Sequence, residues 1–172
     1  MKRNVAVTEF FVLLLVFSFL FSCTNREPTG EIPFPEDHDA KLEWWKDAAF
    51  GMFIHWGPVS LKGTEIGWSR GREIPIEEYD NLYKQFNPVN YDAEEWVATA
   101  KAAGMKYIVF TSKHHDGFCN WDTEFTDYNI MNSAFKRDVM KELSEACKKH
   151  GMALGFYHST CDWHHPDFPL TR

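Results

Sequence analysis

The stretch Thr111-Ser112-Lys113-His114-His115-Asp116-Gly117-Phe118 follows directly on an apolar run, Tyr107-Ile108-Val109-Phe110. Two histidines and an aspartate at one strand end can donate, accept or carry protons near neutral pH, which a solvated loop has no use for. Neighbouring histidines in extended chain point to opposite sides, so the plain alternative is a polar turn holding one packed histidine. Asp116-Gly117 reads as the turn that fixes the pair rather than as a catalytic carboxylate. Two other apolar runs also end in ligand-capable residues, His55-Trp56-Gly57 and Tyr157-His158-Ser159. Such ends gathered on one face weigh against the plain reading.

The elements that must carry these residues are legible from periodicity. Trp96, Val97, Ala100 and Ala103 recur at helical spacing behind Asp92 as N-cap, with Glu95 three residues on and Tyr91 and Trp96 placed as a hydrophobic staple. Gly104 ends that helix, and Met105 leads into a strand over Lys106 to Thr111. The pattern returns further on. Phe135, Val139, Met140, Leu143, Ala146 and Cys147 form one helical face, Lys148, Lys149 and His150 suit a helix C-terminus, and Gly151-Met152 leads into Ala153 to His158. Ala49 to Trp56 supplies an earlier strand. Repeated helix, short turn and apolar strand predict a parallel α/β sheet. The connection after Ser112 runs about two dozen residues, far beyond the usual strand-to-helix length, so the strand C-terminal ends are expected to be the functional face.

The chain has 172 residues, 16% of them aromatic, with seven tryptophans. Aromatic faces stack on pyranose rings, although surplus aromatics also fill cores. A net charge of -7 and the lack of a basic stripe argue against nucleic acid as a partner. Met1-Lys2-Arg3 followed by the apolar Phe10 to Phe21, with Glu9 an intrusion, reads as an export signal. Leu20-Phe21-Ser22-Cys23 resembles the lipobox of bacterial lipoproteins. That resemblance implies a signal over 1–22 and lipidation at Cys23, against the alternative of a plain signal peptide or anchor. With Thr24 rather than aspartate next, the resemblance suggests an outer-membrane anchor, so an exported bacterial lipoprotein, periplasm-facing or anchored in the outer membrane, is expected. Pro28, Pro33 and Pro35 mark 23–40 as a tether, and the domain is expected to occupy 41–172. The membrane is then touched only through lipid. Cys119, Cys147 and Cys161 lack paired C-x-x-C spacing, so neither a disulfide framework nor structural zinc is expected, with room for one bridge and with Cys147 buried.

Phe50-Gly51-Met52-Phe53-Ile54-His55-Trp56-Gly57, Lys113-His114-His115-Asp116-Gly117-Phe118 with Trp121-Asp122, and Gly155-Phe156-Tyr157-His158-Ser159 with Asp162-Trp163 resemble successive strand-end motifs of the family 29 α-L-fucosidases. The resemblance covers about Lys41 to Arg172. It implies the N-terminal portion of a (β/α)8-like, TIM-type barrel, incomplete in this chain. It further implies retaining hydrolysis of α-L-fucosides on fucosylated oligosaccharides or glycoconjugates, with no metal or cofactor. Carried over, His55, His114 and His115 would hydrogen-bond fucose hydroxyls and Tyr157 would line the pocket. Trp56 and Trp121 would support or stack. Many relatives carry Glu-Trp-Tyr where this chain has Glu65-Ile66-Gly67-Trp68, so Glu65 and Trp68 are loosely placed, and His158 stands where many have a second tyrosine. The nucleophile and acid/base are expected beyond Arg172. Two other readings are a non-catalytic glycan-binding surface lipoprotein and a metal hydrolase built on His114 or His115 with His164, His165 and Cys161, the latter without H-x-H or H-E-x-x-H spacing.

Overall fold

The computed structural model describes residues 37–169. The export signal and Cys23, with the tether up to residue 36, lie outside the described residues. The chain opens with α1 (His38–Ala48), which Asp37 caps by accepting from the Ala40 N–H at 2.9 Å. Then follow β1 (Gly51–Ile54), a short α2 (Ile76–Asn81), α3 (Ala93–Ala102), β2 (Tyr107–Lys113), α4 (Val139–His150) and β3 (Ala153–His158). The three strands form one open parallel sheet in the order β1-β2-β3. Gly51 pairs with Tyr107, and Tyr107 with Ala153, so the strands start level.

Two helices cover one face of this sheet. Val97 and Ala100 of α3, Ile108 and Phe110 of β2, and Val139, Leu143, Ala146 and Cys147 of α4 belong to one buried cluster. α3 begins as its sequence demands: Asp92 accepts from the Glu95 N–H at 3.0 Å, and the Tyr91 and Trp96 rings meet edge to face at 4.8 Å as the staple. Gly151 takes the left-handed conformation that ends α4, with φ 62°. A smaller cluster of Val59, Ile66, Ile74, Tyr79 and Leu82 lies under the segment between β1 and α3.

Three boundaries differ from the sequence expectation. α4 begins at Val139, not near Phe135, because Lys136 adopts φ 53° and Asp138 takes over as N-cap, accepting from the Lys141 N–H at 2.8 Å. Phe135 joins the same core from outside the helix. β2 continues past Thr111 to Lys113 through a register irregularity, and β1 is only Gly51–Ile54. Cys119, Cys147 and Cys161 are all free, the first two buried.

Candidate active site

The sheet delivers its polar residues to one place. His55 leaves β1, and its Nδ1 lies 2.9 Å from Thr111 Oγ1 on the neighbouring strand. His114 and His115 follow the last residue of β2, and Tyr157 comes from β3. The His55 ring centroid lies 5.0 Å from that of His114 and 6.5 Å from that of Tyr157. The His114 and Tyr157 rings stack at 5.6 Å, and the two adjacent histidines are 4.4 Å apart. Extended chain would separate them. Here the chain turns immediately after Lys113, with the Gly117 N–H donating to the His114 carbonyl at 3.1 Å and Gly117 at φ 88°. Both imidazoles therefore reach the same cluster.

Aromatic rings and a carboxylate rim this cluster. The Trp68 ring lies 5.7 Å from His115 and 5.2 Å from Trp163, whose own ring is 5.2 Å from His115. Phe53, more than half exposed, sits 6.0 Å from His55 and 6.3 Å from Tyr157. Glu65 and His55 line one cavity of about 480 Å³ together with Ser60 and Thr64. His115 Nδ1 lies 2.6 Å from Ser159 Oγ, which orients the ring.

Burial sets the protonation states. His114 is held down to about 4 by its desolvation, then by the neighbouring His115 and His55, so it is neutral at physiological pH. Its Nδ1 is buried without a hydrogen-bond partner. Burial also lowers His55, against the opposing charge of Glu65. Asp116 lies beneath the histidines, 2% exposed, and desolvation raises it to about 6, offset by hydrogen bonds from the Tyr79 hydroxyl and the Phe118 N–H. It is thus the buried support of the turn.

The remaining predicted residues divide. Glu65 and Trp68, loosely placed by sequence, both border the histidines. Trp56 turns the other way: its ring packs on Phe86 at 4.9 Å, Trp96 at 5.6 Å and Tyr91 at 6.0 Å in the helix-side core. This is the packing of a supporting residue. Trp121 lies 5.6 Å from the ring of His158 and lines a different cavity with Phe156 and Met140. Nor does the metal-hydrolase set assemble. Among the described residues no three His, Cys, Asp or Glu side chains group to hold an ion, and His164 stacks flat on Tyr128 at 4.0 Å. Sequence reasoning missed Trp163, Thr111 and Tyr79 as parts of this site. Trp163 had a signal in its motif, but Tyr79, in a polar helical stretch, had none.

Comparison with known proteins agrees with this geometry. The profile of the alpha-L-fucosidase family matches residues 34–172. Alpha-L-fucosidase 1 of Arabidopsis thaliana is 32% identical over 95% of the chain and 31% of its own length. The solved alpha-L-fucosidase isoenzyme 1 of Paenibacillus thiaminolyticus superposes with a TM-score of 0.70 at 46% identity, covering 74% of this chain and 30% of its own. A family 29 alpha-L-fucosidase of Bacteroides thetaiotaomicron, solved as a covalent intermediate trapped with 2-fluoro-fucosyl fluoride, gives a TM-score of 0.70 at 34% identity, over 77% of this chain and 33% of its own. The chain spans about a third of the length of such relatives. From its match over 34–172 and the agreement in fold, this chain belongs to the alpha-L-fucosidase family.

Proposed function

We propose that the cluster of His55, His114, His115 and Tyr157 is the sugar-holding side of a retaining α-L-fucosidase site, carried by the first strands of a (β/α)8 barrel. The observation that carries this reading is the convergence of three parallel strand ends on rings 4.4 to 6.5 Å apart. With Nδ1 of His55 engaged by Thr111 and Nδ1 of His115 by Ser159, each of these rings keeps its Nε2 for a sugar hydroxyl, which can both donate and accept. Held by Thr111 and Ser159, His55 and His115 are oriented before the sugar arrives, so their bonds can strengthen as the ring flattens toward an oxocarbenium ion. Phe53, Trp68 and Trp163 supply the apolar rim that a methyl-bearing sugar requires.

Retaining hydrolysis uses two carboxylates about 5 to 5.5 Å apart, one as nucleophile and one as acid/base. Asp116 does not serve, being sealed under the turn by Tyr79 and Phe118. Glu65 and Glu73 both line the cavity beside His55, but neither stands at the end of a strand. The reading therefore takes the catalytic pair from later strand ends of the barrel. Bound glycan enters by the strand C-terminal face, and attachment to a membrane is by lipid on Cys23 of an exported protein. Replacing Cys23 by Ser would then move the protein from the membrane to the soluble fraction.

The test is His115→Ala in the full-length protein. It should cut kcat/KM on an aryl α-L-fucoside by about 2 kcal/mol, roughly thirtyfold, and weaken inhibition by L-fucose. Unchanged values would refute the assignment. Fucose binding without any turnover by the unaltered protein would favour a glycan-binding lipoprotein instead.

A further inference from the structure

Tyr79 joins two parts of the histidine site through its hydroxyl. It belongs to α2, is 2% exposed and packs in the smaller apolar cluster with Ile66 and Leu82. Its hydroxyl accepts the Gly67 N–H at 2.7 Å and donates to Asp116 Oδ2 at 2.7 Å. The other Asp116 oxygen accepts the Phe118 N–H at 3.4 Å. On one side of this hydroxyl the next residue is Trp68, whose ring meets His115. On the other, Asp116 directly follows His115.

Resting on the reading of this cluster as a fucose pocket, we propose that Tyr79 is a positioning residue for sugar binding, its hydroxyl holding the loop of Glu65 and Trp68 in register with the His114-His115 turn. The loop rides with α2 as one body, because Arg70 of the loop makes two bonds to Asp80 of α2, at 2.6 and 2.7 Å. What remains to be fixed is how that body sits against the turn. Apolar packing is non-directional and allows a slide. Two short bonds meeting at one oxygen are directional, and in a buried place neither Gly67 nor Asp116 finds water as a substitute. A phenylalanine would keep the ring and lose the register.

The experiment is Tyr79→Phe in the full-length protein. KM for an aryl α-L-fucoside and the inhibition constant of L-fucose should rise together by about tenfold or more, with kcat changed less. In the sugar-free protein the Gly67 amide should exchange faster, and the imidazole resonances of His114 and His115 should move. Leu82→Ala, in the same apolar cluster, should lower the thermal midpoint and leave KM alone, which separates positioning from stability. Combined with Trp68→Ala, Tyr79→Phe should weaken fucose binding by less than the product of the single effects, since it acts through that loop. Unchanged fucose inhibition with only a lower midpoint would overturn the proposal, as would full multiplicativity with Trp68→Ala. Unaltered imidazole signals and Gly67 exchange would overturn it independently of sugar. Failure of the unaltered protein to bind L-fucose defeats the fucose reading itself, and the sugar role of Tyr79 with it.

Discussion

A Cβ added at Gly67 would lie 2.7 Å from Nδ1 of His114, and the Gly67 backbone adopts φ +70°. The loop and the buried imidazole are therefore in contact through a position that admits no side chain. Left-handed backbone is open to glycine at little cost, whereas an L side chain there pays about 1 to 2 kcal/mol before any clash.

Gly67→Ala should accordingly push His114 off its place as well as strain the loop. Fucose inhibition by the full-length variant should weaken about tenfold or more. Gly104, just past the end of α3, provides the comparison, having φ +82° and nothing within 4 Å of an added Cβ. Gly104→Ala should show the backbone cost alone, as a lower unfolding midpoint with normal fucose binding. Equal fucose affinities for the two variants would contradict the contact.

The pH dependence of stability involves two buried groups of opposite sign. His114 falls from an ordinary 6.5 to about 4, so between those values the unfolded chain binds the proton and stability drops as pH falls. Asp116 rises from 3.8 to about 6, so between those values the folded chain binds the proton and stability drops as pH rises. From about pH 4 to 6 the two slopes oppose each other. Asp116→Asn removes one of them. Chemical unfolding of that variant should lose stability more steeply on acidification through this window than the unaltered protein does, and a parallel pair of curves would rule the opposition out.

Asp138 illustrates how one side chain serves both a helix and the long loop that follows β2. One oxygen caps α4 through the Lys141 N–H at 2.8 Å, and the other accepts the Asp122 N–H at 3.1 Å. Asp92 caps α3 through the Glu95 N–H alone. Loss of a cap costs about 1 kcal/mol, so Asp138→Ala should destabilise by about 2 kcal/mol and Asp92→Ala by about half that. Denaturant titration of the two full-length variants checks the order.

The contrast between these caps and the histidine turn explains what the sequence made legible. Asp92 with Glu95, Tyr91 with Trp96, and Gly104 and Gly151 act on neighbours a few residues away, so local pattern suffices to place α3 and to end both helices. The start of α4 escaped because the apolar period runs back to Phe135, while the left-handed Lys136 that breaks it leaves no mark in composition. Strand-end motifs singled out His55, His114, His115 and Tyr157, whose rings lie together in the structure. Tyr79 was not, since its meaning lies in bonds to Gly67 and Asp116 across the fold rather than in its own surroundings. Trp56 shows the converse. It directly follows His55, yet just past the end of β1 the two side chains part, His55 toward Thr111 and Trp56 onto Phe86 and Tyr91.

That opposition separates three tryptophans by experiment. Trp56 is partly buried and packs against Phe86, Tyr91, Trp96 and Phe110, with ring centroids 4.9 to 6.2 Å away, so Trp56→Ala strips contacts from the helix-side core. The change should cost less than the ~3 to 5 kcal/mol of a fully buried site, and the more conservative Trp56→Phe should still lower the unfolding midpoint while leaving fucose inhibition intact. Trp68 is 45% exposed and packs its ring against His115 and Trp163, so Trp68→Ala should scarcely change the midpoint and should weaken fucose binding several-fold. Trp121 keeps company with His158 and Phe156, and Trp121→Ala should leave fucose inhibition unchanged. Weakened fucose binding in a stably folded Trp56→Phe, with none in Trp68→Ala, would reverse the two assignments and move the pocket to the other side of β1.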